Sequence, residues 1–240
     1  MKKWAGAVEW AGTVGDGARC GGFDAVILAN GDFPTHEVPL GVLHSARNVV
    51  ACDGAIRHYP QADIVTGDGD SVPTDYLSRL VQVDEQEDND LTKATRYCLR
   101  QFASRTAATG AAASQHTPLR IAYLGCTGKR EDHALGNIAL LMRYYRDMGI
   151  DGRMFTDYGI FTPAHGDCTF AAFPGQQVSI FNFSSTRITS EGLKWASYAY
   201  RELWQGTLNE ATADHFTLQA DGYYLVYQTY PPHFRETMPR

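Results

Sequence analysis

The sequence predicts an α/β domain built on a parallel sheet, followed by a smaller antiparallel β domain. Two observations carry that prediction. Between residues 23 and 125, short and almost continuously apolar runs rich in Val and Ile alternate with helical patterns and end in Gly, Asp or Asn. Beyond about residue 160 no long helical period remains, and β-rich runs follow one another with turn residues between them. Continuous apolar runs suit strands covered on both faces by helices. Runs punctuated by Pro-Gly, Glu-Gly and Asp-Gly suit antiparallel strands.

The elements follow in chain order. AVILAN (25–30), NVVAC (48–52), ADIVTGD (62–68), RLVQV (79–83) and RIAYLG (120–125) read as strands. In 90–102, Leu91, Ala94, Cys98 and Phe102 fall on one helical stripe, and Asn89 is placed to cap its start. In 132–149, Leu135, Ile138, Leu141, Met142 and Tyr145 do the same, with Gly149 as the stop. The stretch 103–118 has no large apolar residue and reads as a surface loop. CTFAAF, QVSIFNF, TRITSEGLKW and YYLVYQTY supply the later strands. The expected organisation is an N-terminal extension (1–22), an α/β domain (23–160) and a β domain (161–240).

Composition narrows the function classes. With 27 acidic against 21 basic residues, the net charge of −6 argues against general binding of duplex nucleic acid, which needs a basic face. No apolar run approaches the ~20 residues of a membrane helix, and Glu9 and Asp16 interrupt any signal-peptide core. A cytoplasmic protein is expected. The five cysteines (Cys20, Cys52, Cys98, Cys126, Cys168) are odd in number and lack a C-x-x-C pair, which suits buried thiols rather than disulfides or zinc.

The chemistry concentrates at three strand ends. Asp68-Gly69-Asp70-Ser71 follows the third strand, and ligands gather beyond the carboxyl ends of parallel strands. Two carboxylates that close repel, and a divalent cation is the usual compensation. The acidic run Asp84 to Asp90 sits at a second strand-to-helix junction, where Asp90 can reach the same cation. Lys93, one turn further on, suits a nucleotide phosphate beside a magnesium ion. The third end, Gly125 to His133, offers glycines, a helix N-terminus, Lys129 and Arg130 to an anion. The spacing is not that of a Walker A loop. Together these three ends predict magnesium-dependent nucleotide chemistry with an acceptor left open.

The same residues resemble the thiamine pyrophosphokinase family. Cys52-Asp53-Gly54 is similar to its A-D-G-G, and Gly67 to Ser71 to its G-D-x-D-S. Gln86 to Lys93 resembles Q-D-x-T-D-F-x-K, and Gly125 to Asn137 resembles G-x-x-G-G-R-x-D-H-x-L-x-N. Ser190 to Trp195 is similar to S-x-G-L-x-W. The resemblance implies a Rossmann-like catalytic domain and a β-sandwich, a homodimer with active sites at the subunit interface, and Mg²⁺-dependent transfer of the β,γ-diphosphate of ATP to the thiamine hydroxyl. It implies Asp68, Asp70 and Asp90 as metal ligands and, with Asp132, as the catalytic set. Asp53, Ser71, Lys93, Thr127, Arg130 and Asp132 would serve ATP. Gln86, Thr207 and Asn209 would serve thiamine, with Tyr223 or Tyr224 stacking on it.

The chain departs from the family at Gly69 (usually Leu or Phe), Asn89 (Thr), Leu91 (Phe), Lys129 (Gly) and Thr207-Leu208. Two other readings compete. Asp68 to Val72 also fits the D-x-D-x-[TV] nucleophile loop of haloacid-dehalogenase-like phosphatases, although two apolar strands precede it here. A non-catalytic nucleotide- or thiamine-binding protein is the other.

Overall fold

The five apolar runs form strands β1 (Ala25–Leu28), β2 (Val49–Cys52), β3 (Ile64–Gly67), β4 (Leu80–Gln82) and β5 (Leu119–Leu124) of a computed structural model, which describes residues 22–83, 88–106 and 118–231. They are joined by β6 (Ile150–Phe155), which the sequence pattern hides because Asp151 and Arg153 interrupt it. Arg153 is buried and donates to the Asp151 carboxylate, so the polar pair is satisfied inside the fold. All six strands run parallel in the order β6-β5-β1-β2-β3-β4. β1 is central, with Val26 opposite Val49 on one side and Ala122 on the other. Every residue of β1 and β2 is buried, as strands covered on both faces require.

Three helices pack with this sheet: α1 (Glu37–Ser45), α2 (Asp90–Thr106) and α3 (Glu131–Met148). Pro39 and Gly41 conceal α1 in the sequence, yet proline is tolerated in a first turn. Asn89 caps α2 as expected, its Oδ1 accepting from the Thr92 amide at 3.0 Å and the Thr92 hydroxyl at 2.8 Å. This helix runs four residues beyond 102 into the expected loop, and 107–117 lie outside the described residues. α3 ends where predicted: Gly149 is left-handed at φ 64° and its N–H bonds to the Tyr144 carbonyl. The expected α3 stripe needs one correction. Leu141, Met142 and Tyr144 are buried, whereas Leu135 is 62% exposed, because only the second half of the helix covers the sheet. Short 3₁₀ turns cover Asp53–Arg57 and Thr74–Arg79.

Contacts divide the chain into two units, 22–157 with 161–163, and 158–160 with the described residues from 164 onward; β7 (Gly159–His165) is shared between them. In the second unit, β8 (Cys168–Ala171), β10 (Ile188–Glu191) and β12 (His215–Ala220) form an antiparallel sheet ordered β10-β12-β8. β9 (Gln177–Asn182), β11 (Asn209–Glu210) and β13 (Tyr223–Thr229) pair antiparallel in the order β11-β9-β13. Phe170, Ile188, Phe216 and Leu218 from one sheet meet Val178, Ile180, Tyr224 and Val226 from the other in a single core. Phe170 stacks on Phe216 at 5.1 Å. This is the antiparallel sandwich that the resemblance implies.

Among the described residues, Cys52, Cys98 and Cys126 are buried free thiols, and no helix is long and apolar enough to cross a membrane. Burial raises the Cys98 thiol to about 12, so it is an inert packing group.

The entry to α1 is tied down by Asp157. Its carboxylate accepts from the Thr35 hydroxyl at 2.5 Å, from the Thr35 amide at 2.9 Å and from the His36 amide at 3.1 Å. Partial burial pushes this carboxyl up, but those three donors outweigh it and hold it below the ordinary range. Asp157→Ala is therefore expected to cost about 1–2 kcal/mol at neutral pH, the size of a lost cap. A depressed folded value means that the contribution is present above the unfolded pKa of about 4 and is lost as pH falls through the folded one. Urea unfolding of both proteins across pH checks it: the stability gap should close on acidification.

Candidate active site

Strands β1, β2, β3 and β5 point their carboxyl ends at one cavity of about 920 Å³. Asn30 and Gly31 line it after β1, and Cys52 and Asp53 at the end of β2. Asp68, Asp70 and Ser71 follow β3. The start of α2 brings Asp90 and Lys93, and the loop after β5 brings Gly128, Lys129 and Arg130. The parallel topology thus collects sequence segments more than 90 positions apart, as the strand-end reading expects.

Carboxylates crowd one part of this wall. Asp53 has a left-handed backbone at φ 43° and is 7% exposed. Its Oδ2 accepts from the Ser71 amide at 3.2 Å, while Oδ1 is buried without a hydrogen-bond partner. Asp68 accepts from the Asp70 amide at 3.1 Å across Gly69, whose φ of 92° explains why glycine replaces a large residue there. Burial raises the Asp90 carboxyl, opposed by Lys93, whose ammonium lies 3.4 Å away; the Asp53 and Asp68 carboxylates raise it further. Three carboxylates from β2, β3 and α2 therefore feel one another.

Among the described residues no three His, Cys, Asp or Glu side chains stand close enough, as placed, to cage a metal ion. The donor set nevertheless fits a hard divalent cation: oxygen ligands only, mutually repelling, with one buried carboxylate oxygen left over on Asp53.

The same wall also carries cations. Lys93 is 6% exposed, an uncommon state for lysine without a partner. Lys129 is left-handed at φ 53° and its ammonium donates to the Asn30 carbonyl at 2.8 Å. Arg130 pairs with Asp132 at 2.6 Å, and this guanidinium holds the exposed Asp132 carboxyl below its usual range. Asp132 and Thr127 are not part of the cavity wall; the Thr127 carbonyl instead accepts from the Asp32 amide at 2.9 Å. Asn137 joins two loops, donating to the Cys126 carbonyl at 2.9 Å and accepting from Asn89 at 3.3 Å. Beside the start of α2, Asp88 holds Arg96 at 2.6 Å and Arg143 at 3.5 Å.

In the second unit, Asn209 is buried and its side chain is committed internally. Its Oδ1 accepts from the Trp195 amide at 3.2 Å and its Nδ2 donates to the Trp195 carbonyl at 2.8 Å. Asn209 therefore positions Trp195, whose ring is 53% exposed with the Lys194 ammonium 4.8 Å from its centre. Thr207 donates to the Trp204 carbonyl at 2.7 Å. Tyr224 is fully buried, donating to the Gly166 carbonyl, so it presents no open ring face, while Tyr223 is half-buried and packs on His165 at 4.4 Å. Gln86 lies outside the described residues.

Sequence reasoning missed Asn30-Gly31 and Trp195. The former carries the same polar strand-end signal as the other loops. The latter sits in a quoted motif, but its exposure depends on the clamp from Asn209, which no spacing reveals.

A sequence profile described as "Thiamin pyrophosphokinase, catalytic domain" matches residues 41–150, and one described as "Thiamin pyrophosphokinase, substrate-binding domain" matches residues 159–227. The chain belongs to the thiamine pyrophosphokinase family. It carries both domains of that enzyme in the family's order, and its activity is that of a thiamine pyrophosphokinase. No curated protein sequence matches it significantly. Among solved structures, yeast thiamin pyrophosphokinase is similar with a TM-score of 0.71 at 14% identity, covering 86% of each chain. The Candida albicans enzyme gives 0.69 at 13% identity, covering 87% of this chain and 94% of that one. The Bacillus subtilis enzyme gives 0.64 at 18%, covering 86% and 99%. At these identities the likeness shows a common fold. Neither the fold nor the profiles favour a phosphatase or a purely binding protein.

Backbone proximity at the cavity yields a direct test. A Cβ on Gly31 would lie 2.3 Å from the Thr127 carbonyl oxygen and 2.4 Å from that of Gly125. Backbone cannot give way as a flexible side chain can. Gly31→Ala should cost about 2–3 kcal/mol through overpacking, measurable by chemical unfolding.

Proposed function

We propose that the chain transfers the β,γ-diphosphate of ATP to the hydroxyl of thiamine in a Mg²⁺-dependent reaction, giving thiamine diphosphate and AMP. The observation that carries this reading is one cavity lined both by the carboxylates of Asp53, Asp68, Asp70 and Asp90 and by the cations of Lys93, Lys129 and Arg130. A triphosphate bridging to a divalent cation needs both.

Asp68, Asp70 and Asp90 are the proposed metal ligands, and the orphaned Asp53 Oδ1 adds a fourth oxygen. Bound Mg²⁺ would offset phosphate charge and the charge that grows on the leaving oxygen. The rest of the work falls to the chain itself. Lys93, held by Asp90, sets a positive charge against the phosphates. The glycine loop after β5 lets backbone approach, and α3 turns its N-terminus towards the same side. The thiamine hydroxyl attacks the β-phosphorus with AMP as leaving group, and Asp68 or Asp70 takes its proton. Asp132 is the poorer base because Arg130 stabilises its ionised form.

Thiamine carries a cationic thiazolium, which the acidic mouth attracts. Trp195 offers it a face, since cations and heteroaromatic rings bind well over indole. In this reading Asn209 and Thr207 shape the Trp195 loop, Gln86 meets the pyrimidine, and the thiamine side comes from the partner of a homodimer. Exposed Leu203, Trp204 and Leu208 in the same unit as Trp195 support such an apolar interface. A cytoplasmic enzyme is consistent with these substrates.

Two substitutions test the reading by thiamine-dependent AMP release. Asp70→Ala should reduce turnover by about three orders of magnitude or more without a change in the unfolding midpoint, because Asp70 is exposed and makes no core contact. Trp195→Ala should raise the KM for thiamine by about tenfold, leaving that for ATP alone. An Asp70→Ala enzyme that stays active and magnesium-dependent would refute the metal assignment.

A further inference from the structure

The geometry points to Lys129 as a phosphate-binding residue, fixing the donor nucleotide through its triphosphate. This rests on ATP being the donor, as proposed above.

Three observations converge on it. The first is backbone strain. Lys129 has φ 53°, and a side-chain-bearing residue in that region costs on the order of 1 kcal/mol that glycine would not. Its neighbour Gly128, at φ 79°, is a glycine for a visible reason, since a Cβ there would lie 2.1 Å from the Asp32 carboxylate.

The second is how the side chain is held. The ammonium donates to the Asn30 carbonyl at 2.8 Å and to the Asn30 side-chain oxygen at 3.3 Å. An ammonium has three donors. Two are fixed by Asn30, which lines the same cavity, and the third remains for a ligand.

The third is charge. Lys93 has Asp90 at 3.4 Å and Arg130 has Asp132 at 2.6 Å. Among the described residues no carboxylate lies within ion-pair distance of Lys129, whose acceptors there are the neutral oxygens of Asn30. An immobilised, uncompensated cation in a concave wall is what an anionic ligand uses. The alternative role, a staple between the β1 and β5 loops, would explain the Asn30 contacts but not the retained charge and strain.

Lys129→Gly separates the two roles, because it removes strain and charge together. The purified full chain and this variant are compared in Mg²⁺ buffer by calorimetric titration with ATP, inorganic triphosphate and adenosine, alongside thermal unfolding. The expected result is an affinity for ATP and for triphosphate lower by about tenfold or more, the size of a lost charge-assisted hydrogen bond. Adenosine affinity should be unchanged, the unfolding midpoint unchanged or higher, and Lys129→Arg should restore most of the triphosphate affinity. Equal triphosphate affinity in wild type and Lys129→Gly would overturn the inference, as would a parallel loss of adenosine binding or a lowered midpoint with affinity intact. Wild-type protein that releases no AMP from ATP and thiamine would instead defeat the proposed function, while the triphosphate titration would still decide whether Lys129 binds phosphate.

Discussion

Electrostatic opposition between the Asp90 carboxylate and those of Asp53 and Asp68 is the constraint at the carboxyl end of the parallel sheet. Like charges at the end of a parallel sheet cost free energy unless something compensates them. Lys93, buried and paired with Asp90, supplies part of that compensation, and the Asp53 carboxylate keeps one buried oxygen with no partner. The fold sustains this arrangement because the strands beneath are buried along their whole length and do not yield. Stability is spent on holding acids together, which is reasonable only where a cation-bearing ligand returns it.

The second unit solves a different problem. It must present an aromatic face without letting it collapse into the sandwich core. Asn209 does this by bonding both backbone groups of Trp195 while remaining buried itself. Tyr224, by contrast, is consumed by the core, with its hydroxyl satisfied at Gly166. Two aromatics of similar character thus have opposite fates, decided by backbone pairing rather than residue type. Asn209, which the resemblance places on the thiamine side, has both ends of its amide bonded to the Trp195 backbone.

Much of this was legible in the sequence, and the exceptions have physical causes. Strands β1 and β2 announced themselves because both faces are covered, leaving no polar alternation to confuse the pattern, whereas the half-buried edge strand β4 showed only through its short Leu-Val run. β6 did not, because its polar pair Asp151 and Arg153 is satisfied internally, and internal satisfaction leaves no trace in hydropathy. α1 was masked by Pro39 in its first turn. At the cavity, Asp68, Asp70, Asp90 and Lys93 were legible because strand ends collect ligands irrespective of detail, whereas Asp53 came from the family resemblance alone. Whether a strand-end residue faces the cavity is a finer matter, set by side-chain direction. Thr127 and Asp132 fall outside the wall while Lys129 and Arg130 beside them line it. The glycines followed the same logic. Gly69, where the resembling family usually has Leu or Phe, adopts a φ of 92° that glycine favours.

The central claim is that carboxylates from separate segments share one divalent cation. It is tested most directly by locating a metal. A crystal of the full chain grown with Mn²⁺ and a non-hydrolysable ATP analogue should show an anomalous peak inside the cavity, about 2.2 Å from oxygens of Asp68, Asp70 and Asp90. A peak bound elsewhere, or a well-ordered triphosphate with no metal touching these side chains, would contradict the account.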